Sequence, residues 1–124
     1  LGDVYKRQFF DYAGVFKYSK EECTESFKMR ALPSKTVEKR FGEIEKVAYT
    51  TMEKKLDRFI GMDMEILYEG IDPELKVPAG RGWHQAPEID GITIITDINR
   101  QKPGTYIKCR IVSRDGVDFI AETV

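Results

Sequence analysis

Few groups in this chain could do metal or thiol chemistry. Its 124 residues include one histidine, His84, and two cysteines, Cys23 and Cys109, far apart in sequence. A structural zinc site or an iron–sulfur cluster needs several thiolate or imidazole donors grouped together, and this set does not supply them. The cysteines read as free thiols in a reducing, cytoplasmic setting. His84 stands beside Trp83 and reads as a packing or surface pair, with no catalytic role. The more distinctive chemistry is acidic. In the stretch Gly80 to Gly91, GRGWHQAPEIDG, Glu88 and Asp90 flank Ile89. Pro87 fixes its own φ and pushes Ala86 out of the α region. Asp90-Gly91 is a turn signal that leads into the apolar run Ile92 to Ile95. The result is a stiff acidic loop between two strands. Such a loop could meet a basic partner, or it could be a plain connection.

The elements that must carry this loop follow from periodicity. Leu1 to Gln8 has no clear pattern and reads as a non-native leader, so the native chain is expected to start near Phe9. Val15, Phe16 and Tyr18 suit a strand, and Ser19 to Glu22 a turn or helix start. Pro33-Ser34 opens a helix, with Ser34 as N-cap. Val37, Phe41, Ile44, Val47 or Ala48, Met52, Leu56 and Phe59 then recur at steps of three and four, which puts one apolar stripe along a helix from Ser34 to Phe59. Its polar face carries seven bases and five acids, too small an excess to read as a nucleic-acid or membrane helix. Gly61 ends it as a C-cap.

From Met62 the period becomes two. Met62 to Tyr68 is a half-buried strand, and Gly70 to Pro78 a loop. Gly80 to Gln85, Ile92 to Thr96, Tyr106 to Ser113 and Asp118 to Val124 are further strands. Lys102-Pro103-Gly104 has the residues of a type II turn, and Arg114-Asp115-Gly116 those of a hairpin. Cys109 falls on the inward face as a buried thiol. The expected fold class is α+β: a long amphipathic helix, then a small five-stranded antiparallel β-barrel of OB-like type. The chain has 41% apolar and 33% charged residues. No apolar run approaches a membrane span, and the N-terminus lacks the core of a secretory signal. From Gly61 onward, seven bases stand against eleven acids, leaving −4. That sign favours a basic protein partner over RNA, which needs a basic surface. Lys108, Arg110 and Arg114 form a local basic cluster that keeps RNA open.

The wording of several stretches resembles a known family. Gly80-Arg81, Ala86-Pro87-Glu88-Ile89-Asp90-Gly91 and Lys102-Pro103-Gly104 resemble the C-terminal TRAM domain of the RimO-type methylthiotransferases. Gly14-Val15-Phe16, Tyr18-Ser19 and Glu21-Glu22 resemble the last strand of the radical-enzyme barrel in the same family. The resemblance covers Gly14 to Val124. It implies that residues 9–32 end a radical S-adenosylmethionine domain, 33–60 are a linker helix and 61–124 the TRAM barrel. It further implies transfer of a methylthio group to an aspartate of a small-subunit ribosomal protein. Four-iron clusters and S-adenosylmethionine would then belong to the parent enzyme. The family holds its clusters with a Cys-x-x-x-Cys-x-x-Cys triad, among other cysteines, and this chain has none. The chain is therefore expected to be non-catalytic and without cofactors of its own.

Two positions depart from the family. Cys23 stands where the family has glycine, so a positive φ there would be strained. Gln85 stands where it has aspartate, which would remove one acid from the contact surface. On this reading Glu88 and Asp90, with Arg81 positioned below them, meet the protein substrate. Two alternatives stay open: an RNA-binding TRAM module of a transfer-RNA methylthiotransferase or a methyltransferase, and a barrel that merely stabilises its neighbour.

Overall fold

The computed structural model describes residues 10–87, 89–98 and 100–124. The proposed leader and Glu88 lie outside the described residues. Two compact units are present, Leu1–Met52 and Glu53–Val124.

The first unit holds the 3₁₀ turn Glu25–Lys28 and most of helix α1, Ser34–Leu56. Pro33, not Ser34, takes the cap position: its carbonyl accepts from the Thr36 and Val37 amides at 2.9 and 3.1 Å. Proline has no amide to satisfy, so it fits the start of a helix at no cost in hydrogen bonds. The stripe on α1 is graded. Ile44 is exposed, Val37, Phe41, Val47 and Met52 are half-buried, and Ala48 is buried. The strand expected around Val15 to Tyr18 does not form among the described residues, and Phe16 is 91% exposed. An extended segment becomes a strand only when another strand takes its backbone bonds. Here Lys17 instead binds Glu38 at 2.6 Å, and Tyr18 donates to Ser26 Oγ. Cys23 does sit at φ 68, the left-handed region where a side chain costs about 1 kcal/mol relative to glycine.

The second unit begins with the last turn of α1 and continues through the 3₁₀ turn Asp57–Phe59. Gly61 follows at φ 87, the conformation a helix stop favours in glycine. Five strands then close a barrel: β1 Asp63–Ile71, β2 Pro78–Arg81, β3 Thr93–Ile95, β4 Tyr106–Asp115 and β5 Asp118–Thr123, in spatial order β1-β2-β3-β5-β4. Four of the five seams are antiparallel, and β3 against β5 is parallel. The expected five-stranded antiparallel barrel is what forms, and its one parallel seam has a geometric reason. Strand direction cannot alternate all the way round a closed ring of five, so one neighbouring pair must match.

Inside lie Met64, Ile66, Tyr68, Ile95, Cys109, Ile111, Phe119 and Ala121, all buried, together with Leu56 and Phe59 from the preceding turn. β2 is shorter than expected and starts earlier. The Lys102 turn is type II as read: the Thr105 amide donates to the Lys102 carbonyl at 3.3 Å, with Gly104 at φ 88. Arg114 fastens the barrel to the helix end. Its Nε donates to Asp57 at 2.7 Å, Nη1 lies 3.6 Å from Glu53, and Nη1 also donates to the Gly116 carbonyl.

Cys109 is fully buried, and Cys23 is exposed. Burial, helped by the charge of Asp97, pushes the Cys109 thiol up to about 11. A raised value in the fold means the unfolded chain ionises first. This contribution to stability is complete below about pH 8.5, the free thiol value, and is lost as pH rises toward 11. A chromogenic thiol reagent should therefore react with one thiol at once and with the second only on unfolding. The urea midpoint should fall more steeply above pH 9 in the wild type than in Cys109→Ala.

Candidate functional site

Glycine at two places makes the functional end of the barrel buildable. A Cβ on Gly80 would collide with the Leu67 carbonyl, so only glycine lets β2 lie this close to β1. Gly91 has φ 77, and a Cβ there would meet Asp118 Oδ1 at 2.7 Å and the Val117 carbonyl at 2.8 Å. Asp118 Oδ1 accepts the Ile92 amide at 2.8 Å, which seats the acidic loop on the β4–β5 hairpin.

Between these glycines the chain turns sharply. Gln85 is 5% exposed, and its Oε1 accepts from the Gly82 amide at 2.9 Å and the buried Thr93 hydroxyl at 2.7 Å. It is a pin inside the loop and not part of a contact surface, which corrects the expectation for this position. Its Nε2 has no hydrogen-bond partner among the described residues. An aspartate there would present no such donor. His84 also turns inward and stacks on Phe59 at 4.2 Å, with Phe119 edge-on at 5.3 Å. Trp83 is consequently thrown outward, 74% exposed.

The proposed site residues have separate holders. Arg81 ends β2 opposite Leu67, and its Nε lies 3.0 Å from Glu69. Asp90 Oδ2 accepts the Ala86 amide at 2.9 Å, closing the loop on itself. Among the described contacts, Arg81 is thus held by Glu69 and Asp90 by the Ala86 amide. Two grooves of about 500 Å³ each relate them. One contains Arg81, Trp83 and Tyr106 over the β1 residues Asp63, Glu65 and Leu67. The other is lined by Glu69, Asp72 and Glu74 on one side and by Gly91 and Ile92, beside Asp90, on the other. No lysine or arginine is among its lining residues, and exposed Ile71 completes it. Asp72 and Glu74 were not singled out in sequence. The signal for them is a run of acids from Glu69 to Glu74 with no base before Lys76.

The basic cluster read from sequence is neutralised. Arg110 grips Asp63 through Nε at 2.6 Å and Nη2 at 3.0 Å. That bond holds the Asp63 carboxyl below the usual range and raises Arg110. Lys108 stands opposite Glu65 in the β1–β4 register, and Arg114 is tied to Asp57 and Glu53. A phosphate would have to displace a carboxylate at each arginine.

This fold and these motifs match a family model, the TRAM domain, over residues 60–124, and the chain belongs to that family. Nearly all of it is also similar to proteins named ribosomal protein uS12 methylthiotransferase RimO. The relative from Treponema denticola is 38% identical over 91% of this chain, that from Myxococcus xanthus 31% over all of it, and that from Aquifex aeolicus 33% over 82%. These matches cover 27%, 26% and 24% of the relatives, so the chain spans about a quarter of their length. The iron–sulfur clusters implied by the resemblance do not fit the residues present. Among the described residues no three His, Cys, Asp or Glu side chains are grouped to hold a metal, and one of the two thiols is sealed in the core. Among the described residues no helix is long and apolar enough to cross a membrane.

The buried pin gives a direct test of loop architecture. Gln85→Leu strands the Thr93 hydroxyl and the Gly82 amide, and should cost about 1–3 kcal/mol in urea unfolding with the slope unchanged. An unaltered midpoint would mean that the loop holds without it.

Proposed function

We propose that this chain is the substrate-docking end of a larger methylthiotransferase, and that its barrel meets the small-subunit ribosomal protein uS12. The observation that carries this is similarity over most of the chain to enzymes named for that protein. In this reading residues 9–32 close the radical S-adenosylmethionine domain and 33–60 link it to the barrel. The remaining sequence supplies the four-iron clusters, S-adenosylmethionine and the chemistry at the substrate aspartate, in the cytoplasm. The part of this chain is to hold the protein in place. A net charge of −4 from Gly61 onward, and a groove with Glu69, Asp72 and Glu74 beside the Asp90 loop, support a basic partner.

Arg81, Glu88 and Asp90 are assigned to substrate contact. Pro87 and the Asp90–Ala86 bond limit the entropy lost when the loop is ordered. Arg81, braced by Glu69, offers a directed donor at the groove margin. A second reading makes the barrel an RNA-binding module of a transfer-RNA-modifying enzyme. Exposed Trp83 and Tyr106 favour it, since bases stack on such rings. The neutralised arginines count against it.

The test uses the chain joined to its catalytic domains. Glu88→Gln with Asp90→Asn should slow association with uS12 about threefold to tenfold at low salt and flatten its salt dependence. Asparagine can still accept the Ala86 amide, so the melting temperature should hold. Unchanged association, or a loss that follows stability, would place the docking surface elsewhere.

A further inference from the structure

β1 is nine residues long, but its two neighbours cover different parts of it. β4 pairs with Asp63 to Leu67, whereas β2 pairs only from Leu67 to Ile71. In an antiparallel ladder, successive residues direct their backbone groups to opposite sides. The phase is fixed by two bonds: the Ile111 amide donates to the Met62 carbonyl at 3.0 Å, and the Tyr68 amide to the Thr105 carbonyl at 2.9 Å. Even-numbered residues thus face β4. Asp63 and Glu65 direct their amides and carbonyls the other way, where β2 has turned off at Gly82 to form the Gln85 loop. Among the described residues no strand continues the pairing there. The space left is the groove with Arg81, Trp83 and Tyr106 on its walls. A free strand edge normally invites another strand.

We propose that this edge takes up an extended basic segment of a protein partner as an added strand beside Asp63–Ile66. The proposal rests on the docking reading above and names where and how part of that docking occurs. Main-chain bonds to Asp63 and Glu65 supply the attachment, and the outward side chains supply selection. Those side chains are Asp63, already held by Arg110, exposed Glu65 and half-buried Leu67. An incoming strand is therefore suited by lysine or arginine over Glu65 and an apolar residue next in that series, over Leu67 and against Trp83 and Tyr106. A second copy of this chain is a poor occupant. Antiparallel self-pairing about Met64 would oppose Asp63 to Glu65 twice, and like charges directly opposite destabilise a sheet.

The experiment follows amide hydrogen exchange, residue by residue, in the 124-residue chain. Two probes are used: purified uS12, and a capped hexapeptide of alternating lysine and valine. Either should slow exchange at Asp63 and Glu65 about tenfold or more, while Met64 and Ile66, already bonded to β4, change little. Glu65→Pro deletes just the amide that faces the groove and should abolish the effect. Glu65→Gln keeps the amide and should weaken binding about threefold. Binding of uS12 with protection elsewhere sinks strand addition and leaves docking standing. Protection by the hexapeptide with no binding of uS12 upholds the strand site and removes the docking reading. Binding of neither probe overturns both. So does a single-stranded oligonucleotide that quenches Trp83 when neither protein probe protects the edge.

Discussion

Three rings from distant parts of the chain hold one end of the barrel together. Phe59 leaves the helix, His84 comes from the loop after β2, and Phe119 lies on β5. Phe59 stacks on His84 at 4.2 Å and meets Phe119 edge-on at 5.7 Å. Both phenylalanines are essentially inaccessible to water, which contributes about 2–3 kcal/mol apiece. Arg58 lies over the outer part of the same cluster, 4.7 Å from the Phe59 ring centre. The exposed position of Trp83 follows from this packing. One residue turns in, so its neighbour turns out, and the Gln85 bonds to Gly82 and Thr93 keep the turn from relaxing. The exposed surface around Trp83 is thereby tied to the core.

Electrostatics then sets what that surface can recognise. Arg81, Arg110 and Arg114 each lean on a carboxylate of a different element, and the bonds are charge-assisted and short. These arginines act within the fold as much as toward solvent. Beside the Asp90 loop, Glu69 is matched by Arg81, but Asp72 and Glu74 have no matching base among the lining residues, so the unbalanced charge there is negative. A barrel of this size can carry either sign. Here the pairing pattern, more than the total count, leaves no unpaired arginine among Arg81, Arg110 and Arg114.

Much of this could be read from residue order. Alternation along Met62–Tyr68 and Tyr106–Ser113, the Lys102-Pro103-Gly104 turn and the Gly61 stop are local features, and local rules capture them. Other features depend on partners that no local rule supplies. Val15, Phe16 and Tyr18 have strand-forming side chains, but among the described residues no strand pairs with them. Gln85 looks like a surface amide until Thr93 and Gly82 close round it. β2 stops at Arg81 because the chain turns off at Gly82, where the Gln85 side chain takes the Gly82 amide. Ring parity, and with it the parallel seam, appears only once the strands are counted as a closed circuit. Arg81 and Asp90 were legible as residues of interest. That Arg81 is braced by Glu69 and Asp90 by the Ala86 amide was not.

The parallel seam between β3 and β5 also bears on the order in which the barrel can assemble. β1 can pair with β2, and β2 with β3, as soon as residues up to Ile95 are available. β4 can add to the far side of β1. The ring stays open until Asp118–Thr123 settles between β3 and β4, because those two strands do not otherwise touch in the sheet. β5 can fold back on β4 as a local hairpin across the Asp115–Asp118 turn, so the seam that closes the ring is β3 against β5, and it seals Phe119 and Ala121 into the interior. Such long-range closure is slow compared with hairpin formation. Until that seam forms, the inner faces of β3 and of the β4–β5 hairpin, with Ile95, Ile111 and Phe119, do not cover one another, and the open barrel is at its most vulnerable to association with other chains.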